Sequence, residues 1–214
     1  MICSLPSSGL VWDEEHLAAR YAFLRRRRDE VTLELLYYPY WLFSMQGTAT
    51  WRFFGEKPLE ILLVCDAGTG RCQRVSSFPE MREESLSFDG SGDSARFAPG
   101  MLRAEGMERQ VYACVVPLKV GEAQAGDAAE AFALSLWRRR CNLPLGPRAA
   151  IHCTEKRPLF LYKPFWIMRP KARPESGPGK MFVFDASTGL GGVSEYWNVV
   201  EYVLELQKEA RGSE

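Results

Sequence analysis

The chain has 214 residues, 46% of them hydrophobic and 25% charged, the balance of a globular protein long enough for one or two domains with a buried core. Lys plus Arg and Asp plus Glu both number 27, so the formal net charge is zero. That argues against a general polyanion binder and leaves only a local basic patch for nucleic acid.

The most apolar runs, LLYYPYWLF and EILLVC, fall far short of the roughly 20 residues that span a bilayer, so no membrane insertion is expected. The opening MICSLPSSGLVWDEEH lacks the basic start and long apolar stretch of a secretory signal. Cys3, Cys65, Cys72, Cys114, Cys141 and Cys153 show no C-x-x-C spacing. A cytoplasmic protein with reduced, mostly buried thiols is therefore expected.

Asp13 is the expected N-cap of a first helix (14–28), with Glu14 and Glu15 where the helix dipole favours negative charge. Leu17, Tyr21 and Leu24 share one face, and Arg25, Arg26, Arg27 and Arg28 lie at the end that favours cations. In the strand that follows, Val31, Leu33, Leu35, Tyr37, Trp41 and Phe43 point one way; Thr32, Glu34, Tyr38 and Tyr40 point the other. A second strand, EILLV, runs into DAGTG (66–70), where Asp66 accepts backbone hydrogen bonds and Gly70 accepts a positive φ. RCQRV after it completes a hairpin.

DGSGDSARFAPG (89–100) reads as a loop, and VYACVVPLKV (111–120) as a strand leading to a second helix (128–140). Asp127 is its expected N-cap; Ala129, Phe132, Ala133 and Leu136 share a face, and Arg138, Arg139 and Arg140 end it. Phe160, Tyr162, Trp166 and Met168 then alternate as the first strand does. RPKARPESGPGK (169–180) is a loop, and KMFVF leads into DASTG with Asp185 and Gly189 at the turn positions. SEYWNVVEYVLELQKEA (194–210) is an amphipathic helix N-capped by Ser194, with Tyr196, Val199, Val200, Val203 and Leu206 as its buried stripe.

These elements repeat. YYPYW (37–41) matches YKPFW (162–166), LLVCDAGTG (62–70) matches MFVFDASTG (181–189), and each is preceded by a helix ending in arginines. Three features in one order imply two diverged copies of a helix–strand–strand unit. Pro39 and Pro164 are then expected to mark equivalent bulges or edge positions that turn Trp41 and Trp166 into their cores.

The helix, the aromatic strand and the strand ending in D-A-x-T-G resemble the PepSY-type unit over roughly 13–76 and 127–192. The resemblance implies an α+β fold of two repeated helix-on-antiparallel-sheet units plus a C-terminal helix. The first unit would span 1–88, a linker 89–110, the second unit 111–193, and the C-terminal helix and tail 194–214. It also implies a role in regulating or binding other proteins, peptidases among them, and transfers no catalytic residue.

The residues themselves assemble no catalytic site. His16 lies in a helix's first turn, and His152 and Cys153, as strand neighbours, point to opposite faces. Cys65 and Cys72 flank the first turn and would face each other if the loop is 67–70, as a redox pair or half a metal site. The second copy has Phe184 and Gly191 there, which favours simple packing. No Cys/His cluster supplies further ligands, and no phosphate-binding glycine loop or G-x-S-x-G elbow is present, so no cofactor or metal is expected.

Tyr38, Tyr40, Leu42, Phe165 and Ile167, with Leu36 and Leu161, make the second face of the repeated strand apolar. Such a face is buried between the units or against a partner or a second copy. The expected function is a non-catalytic intracellular protein-interaction, scaffold or regulatory module, a subunit of a larger assembly. One alternative is a nucleic-acid-binding protein using Arg25–Arg28 and Arg138–Arg140 beside aromatic stacking platforms. Another is a ligand binder or enzyme with a site between the units.

Overall fold

A computed structural model describes residues 2–11, 14–21, 31–53, 55–88, 98–103, 111–142, 148–170, 181–191, 199–201 and 204. The fold is mixed α+β. Its elements run β1 (Ile2–Ser7), α1 (Glu14–Arg20), β2 (Val31–Trp51), β3 (Gly55–Asp66), β4 (Cys72–Val75) and β5 (Arg82–Phe88). They continue with β6 (Ala98–Arg103), β7 (Val111–Val115), α2 (Glu122–Cys141), β8 (Ala150–Pro170) and β9 (Phe182–Asp185). No helix among the described residues is long and apolar enough to cross a membrane.

The chain forms two compact units, one of residues 1–38, 80–117 and 162–214, the other of 39–79 and 118–161. This replaces the expected division at 1–88 and 111–193. Each unit takes its helix from one half of the chain and its D-A-x-T-G hairpin from the other.

In the 39–79/118–161 unit, β2 and β3 pair antiparallel from Tyr40↔Asp66 to Trp51↔Gly55, and β4 adds to the far side of β3. Helix α2 lies on this sheet through Ala125, Ala129, Ala133 and Trp137, a stripe of i, i+4 spacing. The alanines let the helix sit close over Phe43, Met45, Ile61 and Leu63, all buried. Phe132 and Leu136, expected on the same face, flank it half-buried. The helix begins at Glu122 after Gly121, one turn and more before the expected start, because the extended Gly121 already ends the preceding segment. Asp127 is therefore not the N-cap; its carboxylate lies 3.6 Å from Lys156.

In the other unit, β1, β5, β6 and β7 form successive antiparallel pairs: β1 with β5, β5 with β6 and β6 with β7. β7 runs parallel to β2 at Leu35–Tyr37, and β1 parallel to β8 at Ser7↔Tyr162. Residues 98–103 of the expected linker are thus a strand. Leu17 of α1 packs with Leu35, Tyr37, Trp166, Met168 and Phe184, and Tyr21 tilts over Phe184 at 4.9 Å. Of the expected C-terminal helix, residues 199–201 and 204 are described and helical, with Val199 and Val200 buried. Ser194, Tyr196, Val203, Leu206 and Asp13 lie outside the described residues.

The two strand prolines share one explanation. The Tyr37 carbonyl accepts from the Val116 N–H at 2.9 Å, the Pro39 carbonyl from the Ala67 N–H at 3.1 Å, and from Tyr40 onward the neighbour is β3. Pro39 sits where β2 exchanges a parallel neighbour for an antiparallel one, so its missing N–H removes no ladder bond. At Pro164 the pattern recurs. Tyr162 accepts from Ser8 at 3.1 Å, Pro164 from Ala186 at 3.0 Å, and β9 pairs from Phe165. The expected bulge or edge is instead a change of partner within a long strand. Beyond it Trp166 is buried and Trp41 half-buried.

Candidate functional site

Both D-A-x-T-G segments close as the same turn. The Asp66 side chain accepts from the N–H groups of Gly68 at 2.7 Å and Thr69 at 2.9 Å; Asp185 accepts from Ser187 at 2.9 Å and Thr188 at 3.3 Å. Gly70 and Gly189, at φ 75° and 69°, donate back to the Asp66 and Asp185 carbonyls at 2.8 and 2.7 Å. Only glycine adopts that left-handed backbone freely, and a short carboxylate suits the Asx bond.

Each turn also holds the segment that enters a helix. The Ala67 carbonyl accepts from Lys119 at 3.1 Å and Val120 at 2.8 Å, just before α2, and the Val120 carbonyl accepts from Trp41 Nε1 at 2.9 Å. The Ala186 carbonyl accepts from Val11 at 3.1 Å, just before α1, and the Gly189 carbonyl accepts from the Tyr21 hydroxyl at 2.9 Å. At about 1 kcal/mol per bond, such contacts orient a helix whose packing supplies most of the stability.

The turns differ at two places. Lys163 lies 2.6 Å from Asp185, whose side chain is 2% exposed; Tyr38 stands at the matching position of YYPYW. Burial alone would raise the Asp185 carboxyl. The Lys163 ammonium and the hydrogen bonds from Lys163 and Ser187 outweigh it and hold the group below the usual carboxylate range. The second difference corrects the reading of Cys65 and Cys72 as reduced packing thiols. They form a disulfide, with Cα atoms 4.1 Å apart. They are directly opposed in β3 and β4, next to the pair in which Asp66 N–H bonds Arg71 O. Non-hydrogen-bonded pairs of this kind bring Cα atoms to about 4.5 Å. At the same place in the second turn Phe184 bridges Gly191, and a β-carbon on Gly191 would run into the Phe184 ring.

The expected partner surface is not available. Tyr38, Tyr40, Leu42, Phe165 and Ile167 are at most 8% exposed within the chain itself. Over residues 35–40 of β2 and 164–168 of β8 both faces are buried, so the second apolar face there meets protein without a second molecule. Arg138, Arg139 and Arg140 are exposed at the end of α2, and Arg25, Arg26, Arg27 and Arg28 lie outside the described residues. His16 and His152 are exposed. Cys153 is half-buried, its thiol pushed up by burial and then by Glu130, and it donates to the Gln46 carbonyl at 3.5 Å. Among the described residues no group of His, Cys, Asp and Glu is arranged to hold a metal ion.

Among the described residues the most exposed large hydrophobic, Phe53, lies at the β2–β3 hairpin tip. Trp51 pairs with Gly55, Arg52 and Phe53 lie in the turn between them, and Gly55 takes φ 75° with open space around it. Phe53 is 79% exposed, and the Arg52 guanidinium carbon lies 5.3 Å from its ring centre. The signal was legible as WRFFG between two alternating strands, since a hairpin loop is ordinarily polar. The chain matches no protein-family model, no curated protein and no solved structure.

Proposed function

We propose that this protein is a non-catalytic interaction module, made of two copies of a PepSY-like helix-on-sheet unit, that engages a protein partner through its β2–β3 hairpin tip. Phe53 carries the reading. An aromatic ring 79% exposed beside an arginine, at the end of a long paired hairpin, is the chemistry of an interface hot spot. The matching site would be an apolar pocket with an acidic rim for Arg52. Support for duplication comes from the matched hydrogen bonds of the two turns and the two prolines.

Placing a photo-crosslinking amino acid at position 53, in the native source, tests this. Crosslinks to one protein species, or to a second copy, are expected from position 53 and not from exposed Glu83 on β5. Equal crosslinking from both positions, or none from 53, rejects the reading. Phe53→Asp should weaken association at least about tenfold, while the unfolding free energy from urea stays within about 0.5 kcal/mol of wild type.

A further inference from the structure

We propose that Cys65–Cys72 is a thiol-exchange site, a reducible clasp that sets how firmly the first turn holds the segment entering α2. Its two sulfurs differ in access. Cys65 is fully buried in the α2 core, whereas Cys72 is half-buried on β4, whose Gln73 and Arg74 are exposed. An external thiolate therefore reaches the Cys72 sulfur. Arg71 and Arg74, both exposed, flank it and favour an anionic thiol over a neutral one.

The chemistry balances without a cofactor. A thiolate attacks Cys72 Sγ, the Cys65–Cys72 bond breaks, and Cys65 leaves as a thiolate that takes a proton. A second thiolate attacks the outer sulfur of the mixed disulfide, releasing oxidised thiol and the Cys72 thiolate. Two electrons pass to the protein.

The clasp adjoins the turn it would control. Cys65 precedes Asp66, and Ala67 receives the Lys119 and Val120 amides and donates to Pro39. The second turn closes with Phe184 packed at Gly191, so the turn itself does not require a bridge. Reduction leaves two small side chains where the second copy has a ring. The first turn loosens and the second does not.

The full chain is purified in air, reduced with millimolar dithiothreitol without denaturant, and alkylated. Alkylation of Cys65 and Cys72 is expected, with hydrogen exchange at the Lys119 and Val120 amides rising at least about tenfold while Val11 is unchanged. Glutathione should add at Cys72 and not at Cys65. Cys72→Ser should exchange in air as the reduced wild type does, and Cys65→Phe with Cys72→Gly should ignore dithiothreitol. Free thiols at Cys65 and Cys72 in the air-purified chain overturn the proposal, as does a bridge resistant to dithiothreitol. So does glutathione at Cys65, or exchange at Lys119 and Val120 that tracks Val11.

Discussion

Gly47→Ala is expected to destabilise the protein by about 3 kcal/mol, the upper end for overpacking. Gly47 lies on the face of β2 that α2 covers. A β-carbon there would stand 2.6 Å from the Trp137 ring and 2.7 Å from the His152 carbonyl oxygen. The ring belongs to a side chain, but the carbonyl belongs to the main chain of β8 and moves only if the sheet moves. Trp137→Ala removes a ring that is 2% exposed and should cost about 3–5 kcal/mol through the cavity it leaves. The two changes are coupled, since each relieves part of what the other causes. The double variant should be less destabilised than the sum of the singles, by about 1 kcal/mol. It should still fall below Trp137→Ala alone, because the His152 carbonyl remains in the way. Urea unfolding of the four proteins reads both effects. Strict additivity would remove Trp137 as the cause, and full recovery to the Trp137→Ala value would remove the His152 carbonyl.

The parts of the fold legible in the sequence are those set by local chemistry. D-A-x-T-G needs its Asp and Gly whatever surrounds it, and the alternation through Leu35, Tyr37, Trp41 and Phe43 keeps one phase through two hydrophobic cores. Strands β1, β5 and β6 were not legible. ICSLPS, REESLSF and APGMLR carry proline, glycine or clustered charge, and they become strands by pairing with one another and with β7. The exchange of helices between halves was hidden for the same reason. Sequence order places α1 before β2, but the segment entering α1 hydrogen-bonds Ala186, near the far end of the chain.

The candidate surface shows a different limit. Tyr38, Tyr40, Leu42, Phe165 and Ile167 form an apolar second face, and such a face must be covered. Alternation cannot distinguish cover by the same chain from cover by another molecule. Phe53, the most exposed large hydrophobic among the described residues, lies in a loop where the breach of the polar-loop rule was itself the signal. The disulfide was legible only as a juxtaposition of Cys65 and Cys72, because spacing says which cysteines can meet and not which are oxidised.

Asp185→Ala should destabilise the protein by about 3 kcal/mol, the lower end for breaking a buried ion pair, since Lys163 keeps 26% of its side chain exposed and can hydrate. Asp185→Asn separates the two roles of the carboxylate. An asparagine oxygen still accepts from the Ser187 and Thr188 N–H groups, so the turn survives and the Lys163 ion pair does not. That variant should lose about 1–2 kcal/mol at neutral pH. Its deficit has a pH signature. The native Asp185 carboxyl lies below the ordinary carboxylate range because Lys163 and its hydrogen bonds outweigh the effect of burial. Above the ordinary range the group is ionised in both states and its contribution is complete. As pH falls through that range the unfolded chain takes the proton first, and the contribution shrinks until the native group is protonated too. Urea midpoints of wild type and Asp185→Asn should therefore converge as pH drops from 7 towards about 2. A gap that stays constant across that range would show that Asp185 acts through packing or turn geometry rather than as the partner of Lys163.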